Sequence, residues 1–381
     1  MENSVVRCFV QPGDSIQPLL KAINSAKKSV EIFIFRFDRR EIEKALAGAV
    51  SRGVQVHALI AYTNRGGEIH LRELEMRLLA AGVTVSRTDN DLVRYHGKLM
   101  IVDRRQLFVL AFNFTWLDTE HSRSFGIATT NRKHVQEAVR LFEADSQRHP
   151  YAPASATFLV SPLNARRQLS SFIAGAKNEL CIYDPEVGDD RMIRALESRA
   201  KSGVSVLIIG RLCGKSTVLE ARRMPGIRLH TRTIIRDGKH AFVGSQSLRA
   251  LELDARREVG IIFRDPRAVA RLTAIFRSDW DLAERSSQQP EVSGAEPPKE
   301  DKPPAAKVAK KVAQALVNNL GPVTPVVEMT VKELAGAQAK VELDAAEIEA
   351  TVKDAVKEAV KEAVRVAVEE AAEPGSAVEG N

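Results

Sequence analysis

Two stretches of the chain carry residues able to do acid–base chemistry: "YHGKLMIVD" at 95–103 and "LHTRTIIRD" at 229–237. In the first, His96 and Lys98 stand two apart with Asp103 five beyond. In the second, His230, Arg232 and Asp237 repeat that spacing. An extended strand sends residues i and i+2 to one face, so each stretch points an imidazole and a fixed cation into one small volume. Imidazole is the side chain that titrates near neutral pH. A buried strand accounts for Leu99, Ile101 and Val102 without any chemistry, but it does not account for the polar pair. One copy of such a short pattern is weak evidence; a second copy changes its weight.

The elements around the two stretches are duplicated as well. "AKKSVEIFIF" (26–35) is echoed by "AKNELCIYD" (176–184), and "RGVQVHALI" (52–60) by "SGVSVLIIG" (202–210), both at an offset of 150. The two motifs are offset by 134, so the first half holds about 16 extra residues before its motif, around "TNRGGEIHLRELEMRLL". Beyond the motif the register is constant. Asp103 to Asn113 and Asp237 to Ser247 are both ten residues, and Asn113 to Ser124 and Ser247 to Glu258 are both eleven. Each half opens with an amphipathic helix, marked in the first by Ile16, Leu19, Leu20 and Ile23. An apolar strand, a second helix and a "GV-x-V" strand follow. That β–α–β order predicts parallel strands joined by crossover helices, an α/β class.

Bulk properties place these halves in a setting. The chain has 381 residues, 44% of them hydrophobic and 28% charged, long enough for more than one domain. Its net charge of +7 conceals an asymmetry: from residue 291 onward there are 11 Lys and Arg against 17 Asp and Glu, leaving about +13 on residues 1–290. A basic body suits anionic partners such as nucleic acid or acidic lipid headgroups. The N-terminal "MENSVVRCFVQPGDS" lacks the pattern of a signal peptide, and no apolar run has the length of a membrane span. Cys8, Cys181 and Cys213 form no metal-binding or disulfide pattern, so the expected setting is a reducing cytoplasm.

The paired H-x-[KR]-x4-D motifs, with "LAFN" (110–113) and "GSQS" (244–247) downstream and Glu258 beyond, resemble the phospholipase D superfamily over about residues 10 to 285. The resemblance implies two α-β-α sandwich halves related by a pseudo-twofold axis, with both motifs meeting in one active site. It also implies a metal-independent reaction with no cofactor. By that resemblance His96 is the nucleophile that forms a phosphohistidine, and His230 is the acid that protonates the leaving oxygen and then activates water or an alcohol. Asp103 and Asp237 complete the motifs. Lys98, Arg232, Asn113, Ser245 and Ser247 are the phosphate-binding candidates, and Glu258 is the carboxylate that orients the histidine of the opposite half, His96.

Several positions depart from the family pattern. Gly-Ser-x-Asn is split, with Asn113 kept in the first half and Gly244-Ser245 in the second. The second motif carries Arg232 in place of lysine, a wider planar head with the same charge. Ser124 stands where the second half has Glu258, so His230 is expected to lack its carboxylate. Among the other histidines, His121 is a candidate for the pocket lining, whereas His57, His70, His134, His149 and His240 are read as structural or surface residues. Trp116 and Trp280 are read as core.

The expected organisation is an N-terminal half at 1–150, a C-terminal half at 151–285, a disordered linker at 286–310 and an Ala/Val/Glu/Lys-rich helical tail at 311–381, a candidate for self-association. The expected substrate is an anionic phosphodiester. It is a phospholipid, reached by peripheral membrane contact, or alternatively a nucleic acid, and a non-catalytic phosphate-binding module is the third reading.

Overall fold

A computed structural model describes residues 6–62, 68–213 and 216–288. The first half runs through β1 (Val6–Gln11), α1 (Gln17–Ser25), β2 (Ser29–Ile34), α2 (Arg40–Ser51), β3 (Gln55–Ile60), α3 (Glu68–Ala80) and β4 (Thr84–Arg87). It is completed by β5 (Arg94–Tyr95), β6 (Leu99–Val102), β7 (Gln106–Leu110), α4 (Trp116–Glu120), β8 (Ser122–Thr129) and α5 (Arg132–Gln147). The second half opens with β9 (Phe158–Val160), α6 (Ala165–Ala174), β10 (Glu179–Val187), α7 (Asp190–Lys201), β11 (Ser205–Leu212) and β12 (Glu220–Arg222). There follow β13 (Arg228–Leu229), β14 (Arg232–Arg236), β15 (His240–Gly244), α8 (Ala250–Asp254), β16 (Arg256–Arg257), β17 (Val259–Phe263) and α9 (Pro266–Gln288).

The duplication written in the sequence is a duplication of sheet topology. One sheet has the order β1-β8-β7-β6-β2-β3-β4, and the other, read from its far edge, β9-β17-β15-β14-β10-β11-β12. The expected parallel β–α–β units are β2–β3 and β10–β11. The sheets are mixed, however, because the motif strands β6 and β14 join β2 and β10 antiparallel and turn straight back into β7 and β15. A tight hairpin needs no crossover helix, so the parallel pattern ends where the motif begins.

Strand alternation divides the core. Leu99 and Ile101 of β6, with Leu107 and Val109 of β7, face a central cluster shared by both sheets, α5 and α9. Their neighbours Met100, Val102, Phe108 and Leu110 face the outer layer under α1, α2 and α3. The second half has its own outer layer, in which Leu169, Phe172, Leu196, Ile234 and Phe242 pack together. Strands buried on both faces read as continuous apolar runs, and this is why "LMIV" shows no alternation in sequence.

Two reciprocal ion pairs tie the halves across the central layer. Arg123 of β8 grips Asp279 of α9 through Nε and Nη2, at 2.8 and 3.0 Å, and Arg257 of β16 reaches Asp145 of α5 at 3.2 Å. Each arginine directly precedes the residue, Ser124 or Glu258, that the duplication sets against a motif histidine.

Residues Met1–Pro290 form one compact unit. Helix α9 continues to Gln288, past the boundary expected at 285; the expected linker beyond 288 and the tail lie outside the described residues. Among the described residues no helix is long and apolar enough to cross a membrane.

Candidate active site

The residues just before each histidine set the site. Short strand β5 pairs in parallel with β16 of the other half, Tyr95 opposite Arg257, and β13 pairs in parallel with β8, Leu229 opposite Arg123. One residue further, the His96 amide donates to Arg257 O at 2.7 Å and the His230 amide to Arg123 O at 3.0 Å. This register brings His96 to Glu258 and His230 to Ser124. Gly97 is needed for the approach, since a Cβ there would stand 2.9 Å from Val259 Cγ2.

His96 Nδ1 lies 3.0 and 2.9 Å from the two Glu258 carboxylate oxygens, with the imidazole 7% exposed and Glu258 fully buried. A carboxylate on Nδ1 selects the tautomer that leaves Nε2 with its lone pair. The Phe35 ring packs edge-on against the imidazole at 4.6 Å. Lys98 is almost completely buried and donates Nζ–H to His96 O at 2.6 Å. Burial pushes its ammonium down to about 7, with Glu258 the main group opposing the shift.

In the second half Arg232 donates Nη1–H to His230 O at 2.8 Å and Nε–H to Ser247 Oγ at 3.0 Å. Two departures from the family pattern are therefore one contact. The wider guanidinium reaches the position where the first half keeps Asn113, and a serine there provides an acceptor in a smaller volume. The Arg232 and Ser247 exchanges thus fall at two residues in direct contact.

Both imidazoles are held well below the usual histidine range, first by burial and then by cations of both halves. Lys98 and Arg232 act on His96 and His230 alike, so the two motifs share one electrostatic site. Glu258 is pushed up by burial, against Lys98, Arg256 and Arg232.

The expectation that His230 has no nearby carboxylate is corrected. Asp118 of α4 places Oδ2 3.5 Å from His230 Nδ1. Its Oδ2 also accepts from the Asn113 backbone N–H and side-chain amide, both at 2.7 Å, and Oδ1 accepts from Arg228 at 2.6 Å. Burial opposes its ionisation, yet His230, Arg228 and the Asn113 amide hold its carboxyl well below the ordinary range. The signal was in the repeat: Asp118 stands five residues after Asn113, as Glu252 does after Ser247. Glu252 accepts the Ser247 N–H at 2.7 Å in the matching way.

The structure brings His96, Lys98, His230, Arg232, Ser247 and Glu258 together and moves other candidates elsewhere. Asp103 and Asp237 sit at the opposite ends of β6 and β14, in hairpin turns at φ 53° and 54°. About 3.3 Å of rise per strand residue carries them far from the imidazoles. Asp103 accepts the backbone N–H groups of Lys27, Lys28 and Ser29, and Asp237 those of Lys177, Asn178 and Glu179. Short polar side chains tolerate the left-handed region, so these aspartates anchor turns.

Ser245, expected as a phosphate ligand, has its hydroxyl bonded to the Val259 backbone and beside Glu258. Asn113 has one amide hydrogen taken by Asp118 and keeps a second. Trp116, expected in the core, is 56% exposed on the outer side of the five-residue α4, with the exposed His121 ring 4.1 Å away. Trp280 is in the core, stacked on Phe276.

Comparison with known proteins bears on the family and the fold. The chain is 29% identical over 141 residues to the mitochondrial cardiolipin hydrolase of Canis lupus familiaris, spanning 36% of this chain and about half (53%) of that relative. It is 25% identical over 333 residues to cardiolipin synthase B of Escherichia coli (strain K12), spanning 68% of this chain and 79% of that protein. Among solved structures, polyphosphate kinase from Porphyromonas gingivalis superposes with a TM-score of 0.60 at 18% identity, over 72% of this chain and 50% of that one. Phosphatidylserine synthase of Haemophilus influenzae Rd KW20 superposes with a TM-score of 0.55 at 10% identity, over 73% and 86%. At such identities these two likenesses bear on the fold. The family described as "Cardiolipin synthase, PLD-like domain" matches twice, at residues 19–146 and 169–280, once for each half and each motif, and the chain belongs to that phospholipase D-like family.

Proposed function

We propose that the shared site cleaves phospholipid phosphodiesters by two displacements at phosphorus. Nε2 of His96 attacks, the bond to the leaving alcohol breaks, and the departing oxygen takes a proton from His230. Water or an alcohol then attacks the phosphohistidine, giving its proton to His230 and releasing His96. Lys98 and Arg232 hold the non-bridging oxygens, whose charge grows in each transition state. The observation that carries this reading is the Glu258 carboxylate on His96 Nδ1, which leaves Nε2 free for attack.

The lipid substrate is supported by relatives named for cardiolipin. Water as acceptor gives hydrolysis, and an alcohol gives phosphatidyl transfer. The second reading, a nuclease, is favoured by the excess of Lys and Arg on residues 1–290. The three cysteines are free, two of them buried, which fits a reducing cytoplasm.

Purified protein incubated with labelled phosphatidylglycerol, phosphatidylcholine and single-stranded DNA tests the reading, with EDTA in parallel. Phospholipid turnover that survives EDTA and is lost in His96→Ala is expected. Cleavage of DNA alone would replace the lipid reading with the nuclease.

A further inference from the structure

We propose that Asp118 is the positioning carboxylate of His230, reaching from α4 to do what Glu258 does for His96 from β17's leading edge. The proposal rests on the reading of His230 as the acid. It adds the group that holds its proton.

The duplication puts Ser124 where a symmetrical site would have a second glutamate. Ser124 Oγ is fully buried and makes no hydrogen bond, so the hydroxyl does not anchor the ring. Asp118 is 2% exposed, with Oδ2 3.5 Å from Nδ1. At that separation the pair is a charge contact and not yet a hydrogen bond; such contacts are often long before substrate binds and tighten afterwards. Asp118 is well fixed for the task. Asn113 holds it twice, Arg228 once, and Thr115 caps the start of its helix.

The second half shows why the carboxylates divide in this way. Glu252 occupies the corresponding position, but its other oxygen accepts from Arg256 at 3.1 Å, and His96 has Glu258 instead. Each histidine thus has one carboxylate at Nδ1, drawn from different elements of the repeat.

Charge makes the contact consequential. His230 is faced by Asp118 from α4, Arg228 from β13, Arg232 from β14 and Lys98 from the segment before β6. Burial and three cations drive its proton off, and Asp118 works against them. A general acid in that position needs an anion to remain protonated until the leaving oxygen takes the proton.

The test is a histidine NMR titration of the full chain, with the His230 signals assigned by their loss in His230→Gln, alongside pH–rate profiles. Asp118→Asn keeps the shape and removes the charge. His230 should then titrate about one unit lower, kcat should fall about 100-fold, and the alkaline limb of the profile should move to lower pH. Asp118→Glu should restore most of each effect. An unchanged His230 titration in Asp118→Asn would overturn the proposal, even if activity and melting temperature fell, because that pattern marks a purely structural residue. Should Asp118→Asn not fold, His96→Gln, which removes the other carboxylate-held ring, serves in its place. A far-downfield Nδ1–H proton from protonated His230 is then expected, and its absence overturns the proposal. Failure to turn over any phosphodiester would count against the proposed function while leaving the titration to decide the role of Asp118.

Discussion

Glu258, carried by the second half, holds His96 of the first: both carboxylate oxygens lie within 3.0 Å of Nδ1, and the glutamate has no exposed surface. The contact crosses 162 residues of chain and is made by the parallel pairing of β5 with β16. Glu258→Gln keeps the size and takes away the charge that fixes the tautomer. Its kcat is expected to fall by about 10³–10⁴, by analogy with the carboxylate of a serine-protease triad, with little change in melting temperature. A variant with full activity would mean that His96 needs no orienting group.

Arg232 and Ser247 should behave as one unit. Arg232→Lys alone leaves Ser247 Oγ without its donor, and Ser247→Asn alone crowds the guanidinium. The double variant restores the combination kept in the first half by Lys98 and Asn113. Its activity should exceed that of either single variant, with a coupling of about 1–3 kcal/mol in a double-mutant cycle on kcat/KM. Strict additivity would show that the two departures arose independently of each other.

Asp279→Ala tests what joins the halves. It strips Arg123 of its two-point partner and Tyr183 of the acceptor at 2.6 Å, leaving both groups partly or fully buried. Removing one partner of a buried ion pair costs about 3–5 kcal/mol, read as a lower urea midpoint. A loss under about 1 kcal/mol would remove the Arg123–Asp279 pair from the account of what joins the halves.

Acid should weaken the fold through His134. Its ring is 6% exposed, Nε2 lies 2.9 Å from Thr157 Oγ1, and burial pushes its pKa down from 6.5 to about 4. A folded-state pKa below the unfolded one means that its contribution is complete above pH 6.5 and is lost as pH falls through about 4. The full span is worth roughly 3 kcal/mol. His134→Gln should flatten the stability–pH curve in that window relative to the wild type. Parallel curves for the two proteins would remove His134 from the account.

The sequence revealed the duplication and the two histidines, because a repeat in constant register states which residues correspond, and the resemblance to the family pointed to Glu258 as the cross-half partner of His96. It was less informative about where an element ends. Asp103 and Asp237 look like members of a triad in the one-dimensional pattern, but four strand residues carry each to a turn at the far end of its strand. Asp118 lies outside the family's glutamate position, where Ser124 stands. The carboxylate comes instead from α4, two positions beyond the exposed Trp116, and only the folded chain shows that this residue faces His230. Residue type alone favours a core position for Trp116, but a one-turn helix on the surface has little apolar area to offer it.

The most direct measurement is the site of covalent attachment. Protein quenched in acid-free denaturant during turnover of a labelled phosphodiester, then digested and sequenced by mass spectrometry, should carry the phosphoryl group on the peptide containing His96. His230→Ala should accumulate that adduct when the leaving group needs no proton, and His96→Ala should carry none. An adduct on His230 in the wild type, or sustained turnover by His96→Ala, would contradict the account.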